Sequence, residues 1–138
     1  MTITRRQFAG LTLATAAAAS VGATASLAGA AKSRTGSLSG RKGYNVSGSV
    51  EVTTVDGKTK VILGEDYVFD PSKNPPDIKI GFGSGEQYAK GSKIHDELTV
   101  KAGAASFEVP EGIDVTNYDE LYIYCEQFTV ILAVAPLN

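Results

Sequence analysis

Tryptophan is absent from the 138-residue sequence, and cysteine, methionine and histidine occur once each, as Cys125, Met1 and His95. A single cysteine rules out an internal disulfide, so the fold must be held by its core alone. The same scarcity excludes several metal sites. Blue copper takes two histidines with a cysteine, structural zinc wants four nitrogen or sulfur ligands, and covalent c-type haem needs C-x-x-C-H. With one histidine, no hydrolase set of nucleophile, base and acid can be assembled. Charge of one sign is lacking as well: 13 Lys and Arg stand against 15 Asp and Glu, and they are interspersed. No basic stripe offers itself to nucleic acid or to an anionic membrane surface.

What is present begins with a targeting segment. Thr4-Arg5-Arg6-Gln7-Phe8 sets an arginine pair before Phe8, and an uncharged run rich in Ala, Gly, Ser and Thr follows to Ala31. This weakly hydrophobic run reads as a twin-arginine signal rather than an ordinary secretory one. Ala28 and Ala30 bracket a small-x-small cleavage site, with Ala23-Thr24-Ala25 as the alternative. The run is long enough to span a bilayer, but its few large aliphatics argue against an anchor. Residues 1–30 are therefore expected to be a signal peptide and the protein periplasmic or extracellular, with no stable membrane span after processing. Without Arg5 and Arg6 the net charge is −4.

Residues 31–43 are rich in Gly, Ser, Lys and Arg and predict a flexible linker. Residues 44–138 read as one β domain. Val46, Gly48, Val50 and Val52 alternate with polar residues as in a half-buried strand. Asp56-Gly57 predicts a two-residue hairpin turn into Lys58–Leu63. Further short runs lie at 67–69, 78–82, 98–100, 107–109, 121–125 and 128–134, and Gly83–Ser92 reads as a mobile polar loop. No later window of eleven or more residues has helical periodicity. The pattern predicts an all-β fold, an antiparallel sandwich or flattened barrel of about eight to nine short strands.

In the last two runs, Leu121, Ile123 and Cys125 share one strand face, and Tyr122, Tyr124 and Glu126 the other. From Phe128 the large residues fall on even positions, which predicts a bulge or tight corner at Glu126-Gln127.

Val109-Pro110-Glu111-Gly112-Ile113-Asp114, Tyr118, Leu121 through Phe128 and Ala135-Pro136-Leu137 together resemble the DM-thirteen domain family. In animals this domain stands beside DOMON and cytochrome-b-type modules. Val46–Val50 and Tyr67, Phe69, Pro76 and Asp77 extend the resemblance over nearly all of Tyr44–Leu137. Tyr124 replaces the family's tryptophan, and Lys101–Ala105 is shorter than the corresponding stretch. The resemblance implies a β-sandwich-like domain with an electron-transfer role. Cys125 would be its redox thiol or its ligand to a prosthetic group such as haem, and a redox protein its partner.

Two readings of Cys125 thus stand side by side. A reactive thiol needs a nearby cation or helix start and access to solvent, which Tyr124 and Glu126 do not supply. A buried cysteine can instead be a small packing residue, which would make the domain a non-catalytic envelope or extracellular binding module. His95 is a candidate second ligand or a solvated loop residue. Gly81-Phe82-Gly83-Ser84-Gly85 lacks the lysine and following helix of a phosphate loop. The adjacent acids Asp119 and Glu120 would point to opposite faces.

Overall fold

The computed structural model describes residues 32–70, 72–94 and 97–138. The signal residues Arg5, Arg6, Phe8, Ala28 and Ala30, and His95 with Asp96, lie outside them. Nine antiparallel strands make one curled half-barrel sheet: β1 (Lys32–Gly40), β2 (Val46–Val55), β3 (Lys58–Leu63), β4 (Val68–Phe69), β5 (Ile78–Ser84), β6 (Gln87–Tyr88), β7 (Ala105–Glu108), β8 (Glu120–Cys125) and β9 (Val130–Pro136). The order across the sheet is β6-β5-β8-β9-β1-β2-β3-β7, with β4 paired to β2. Curling lets one sheet enclose a core on its inner face, so the fold is all-β as the alternation requires.

The β2–β3 hairpin follows the sequence closely. Val50, Val52, Val61 and Leu63 are buried, and Asp56 and Gly57 both have positive φ, at 51° and 77°. That pair of left-handed residues matches the right-handed twist of the flanking strands. The inner core is completed by Tyr67, Phe69, Ile78, Ile80, Phe82, Leu98, Leu121, Ile123, Leu132 and Ala133.

The linker expected at 31–43 is corrected over Lys32–Gly40, which form β1. Lys32 through Ser39 pair residue by residue with β2, and the far edge of β1 meets β9 at Ser39 and Gly40 and the segment after β9 through reciprocal Thr35–Asn138 backbone bonds. Only Leu38 of β1 is a buried apolar residue. A strand held inside a sheet by backbone hydrogen bonds on both sides needs little side-chain hydrophobicity, so composition hides it. Two smaller expectations also change. Residues 98–100 form no strand, although Leu98 is buried and its N–H bonds Ile78 O at 2.7 Å. The expected mobile loop is an ordered hairpin, with β6 pairing to β5 and Ser92 buried.

Candidate functional site

Cys125 is the last residue of β8, opposite Ile78 of β5 and Val130 of β9. Its face carries Leu121 and Ile123 into the core, as alternation predicts. The side chain is fully buried. Its thiol donates to the carbonyl oxygen of Pro76 at 2.9 Å, and the next residue, Glu126, donates its N–H to Asp77 O at 3.1 Å. Pro76 is itself exposed. One layer of irregular chain therefore separates the sulfur from solvent. The Glu126 carboxylate turns away to Lys93, at 3.7 Å.

The expected tight corner at Glu126-Gln127 is present as the turn between β8 and β9, in which Thr129 donates its N–H to Glu126 O at 3.3 Å. The β8–β9 connection is a plain turn through Thr129, at φ 56°, and Phe128 is 58% exposed at its tip. A further irregularity is a bulge on β9: Ile123 opposes Ala133 and Tyr124 opposes Ile131, so Leu132 is the extra residue. A bulge shifts parity by one, which puts both Leu132 and Ala133 in the core.

Tyr122 and Tyr124 are buried on the opposite, outer face. Tyr88 covers them, stacked on Tyr124 at 4.1 Å between ring centroids and edge-on to Tyr122 at 6.3 Å. Gly81 makes room: a Cβ there would stand 2.7 Å from Tyr88 Cε2. A glycine inside a strand marks such close approach, and Gly81-x-Gly83 is a signal of this layer that the phosphate-loop reading passed over. Burial pushes the Tyr88 phenol well above the usual tyrosine range, with help from the charges of Glu126 and Tyr124. Its hydroxyl is buried and has no hydrogen-bond partner among the described residues. Burial also raises Tyr122, as does its hydroxyl's bond to Glu120. Tyr118 stacks instead on Phe82, at 5.9 Å.

The family model described as Electron transfer DM13 matches residues 38–137. The chain belongs to that family. Among curated proteins and among solved structures nothing matches. Membership in the Electron transfer DM13 family establishes the electron-transfer association, and with it the expectation of a redox partner. The match begins within β1, at Leu38, so this strand belongs in part to the matched domain. No helix among the described residues is long and apolar enough to cross a membrane.

A prosthetic group held by Cys125 does not fit the residues around it. The sulfur is enclosed by core side chains and already bonded to Pro76 O. Cys125 lines none of five surface pockets of about 200 to 610 Å³. Among the described residues no three His, Cys, Asp or Glu side chains gather where they could hold a metal ion. Haem ligation also requires open space on the sulfur's free side, and here that side is Pro76.

Proposed function

We propose that this chain is an exported electron-transfer accessory domain whose redox residue is the Cys125 thiol, shielded at rest and used with a partner protein. Family membership supports the electron-transfer part. The observation that carries the thiol reading is the thinness of the cover: Pro76 is exposed, lies outside any strand, and its carbonyl oxygen contacts the sulfur. Segments with few buried contacts open locally at far lower cost than a core strand. Opening around Pro76 frees the sulfur without unpairing β8.

Once uncovered, sulfur attacks one oxygen of a hydroperoxide. The O–O bond breaks, the sulfur is oxidised by two electrons to sulfenic acid, and the rest of the peroxide leaves as an alcohol, or as water when the oxidant is hydrogen peroxide. A thiol of the redox partner then displaces water to give a mixed disulfide, which a second partner thiol reduces. Delivery follows from the signal at Arg5 and Arg6.

A second reading keeps the same geometry. A fully buried thiol whose donor is satisfied by a carbonyl is also what a packing cysteine looks like, and the domain is then a non-catalytic binding module. Treating native wild-type and Cys125→Ser protein with peroxide and a sulfenic-acid trap separates the readings. Trapping at Cys125 supports the redox domain, and an unreactive native thiol leaves the binding module.

A further inference from the structure

The outer face of the sheet carries a tyrosine layer that the Cys125 reading leaves unused. Tyr122 and Tyr124 of β8 are both buried there. Tyr88 of β6 touches both rings, with centroids 4.1 Å from Tyr124 and 6.3 Å from Tyr122. Such separations are those of aromatic rings in contact, close enough for an electron to pass from one to the next. Tyr88 is only half-buried, so an oxidant at the surface stands one ring away from Tyr122.

The hydroxyls of the layer differ in what could take a proton from them. Tyr122 donates to Oε2 of Glu120, an oxygen that also accepts the Glu86 N–H at 3.0 Å. The Tyr88 hydroxyl is buried with no hydrogen-bond partner among the described residues. Among those residues, Tyr122 is the member of the layer with a carboxylate on its hydroxyl. A phenol is neutral at neutral pH, so losing an electron alone would leave a cation inside the layer. A buried charge without a partner is costly. Tyr122 escapes that cost, because its proton can cross to Glu120 as the electron leaves. The pair then carries no charge, where before it carried one negative charge.

We propose that Tyr122 is a one-electron redox site of this domain, with Glu120 as its proton acceptor. The oxidant is a metal centre of the redox partner, in an oxidised state whose potential lies above that of the phenol. In the step the Tyr122 O–H bond breaks, one electron reduces the metal centre, and the proton forms a new O–H bond on Glu120 Oε2. A neutral tyrosyl radical and a neutral carboxylic acid remain. A reduced metal centre returns the electron, and Glu120 the proton. The proposal rests on the family's electron-transfer association and not on Cys125.

The test is flash photolysis of the full chain with tris(bipyridine)ruthenium(II) and chloropentaamminecobalt(III), which together generate a ruthenium(III) oxidant. The radical is read by transient absorption and electron paramagnetic resonance. A tyrosyl radical on an exposed ring decays by pairing with a second protein molecule, whereas a buried one decays slowly and independently of concentration. Wild type and Cys125→Ser are expected to show the slow, concentration-independent radical, and Tyr122→Phe to lose it. Glu120→Gln keeps an acceptor for both the Tyr122 hydroxyl and the Glu86 N–H, so it should fold alike. Its amide is no base, and Tyr122 should oxidise at least about tenfold more slowly, since a positioned base contributes that much or more. Absence of the slow radical from wild type, its survival in Tyr122→Phe, or its equally fast formation in Glu120→Gln would overturn the proposal.

Discussion

The Cys125 thiol and the Pro76 carbonyl, 49 positions apart in sequence, meet at 2.9 Å and close the end of β8 against solvent. That contact makes the thiol both satisfied and hidden, and it sets the first expectation. Cys125→Ser keeps a donor of similar size and should hold its bond to Pro76 O. Cys125→Ala loses the donor and leaves a small void, and should cost about 1–2 kcal/mol in denaturant unfolding. Equal stability of the Ala variant and wild type would show that the contact contributes nothing.

The tyrosine layer is tested at Gly81. Gly81→Ala places a methyl against a ring that is itself stacked on Tyr124, so Tyr88 must shift. Overpacking of this kind costs about 1–3 kcal/mol, and the near-ultraviolet dichroism of the tyrosines should fall with it. A variant as stable as wild type, with its tyrosine signal unchanged, would mean that Tyr88 is not held over Gly81.

Three of the six tyrosines, Tyr67, Tyr88 and Tyr122, have phenols raised by burial. An acid whose folded pKa is raised stays neutral in the native state after the unfolded chain has begun to ionise. Its contribution to stability is complete below the unfolded value of about 10 and is lost as pH rises beyond it. Unfolding free energy should therefore decline above about pH 10. In a spectrophotometric titration these three phenols should ionise only as the protein unfolds. Reversible ionisation of these three near the ordinary tyrosine value, with the fold intact, would contradict the packing described.

The proposed export rests on the arginine pair. Changing Arg5 and Arg6 together to Lys should leave the precursor in the cytoplasm, measured by fractionation. Continued export of the double variant would reject the twin-arginine assignment.

Legibility in the sequence tracked how local the physics was. Alternation over Val46–Thr53 and the Asp56-Gly57 turn located β2 to within two residues and β3 to the residue, because both signals are written in neighbouring positions. The two faces of β8 were readable for the same reason. β1 was not, since its order comes from backbone bonds to strands far along the chain. The corner at Glu126-Gln127 was readable, but the further bulge at Leu132 was not, because periodicity shows that parity changes and only pairing shows every place where it does. At the site, the inward aim of Cys125 was visible, while its cover by Pro76 is a long-range contact that leaves no local trace. Tyr88 was hidden by the polar residues around it, which read as a loop.

The most direct test of the account is the reactivity of Cys125 in the folded domain. Native protein should be treated with hydrogen peroxide and a sulfenic-acid trap, and the adduct followed by mass spectrometry. The account predicts slow trapping at Cys125, faster trapping in Pro76→Gly where the cover is loosened, and none in Cys125→Ser. If the native thiol stays unmodified in wild type and Pro76→Gly alike, while the unfolded chain reacts readily, Cys125 is a packing residue and the redox reading is wrong.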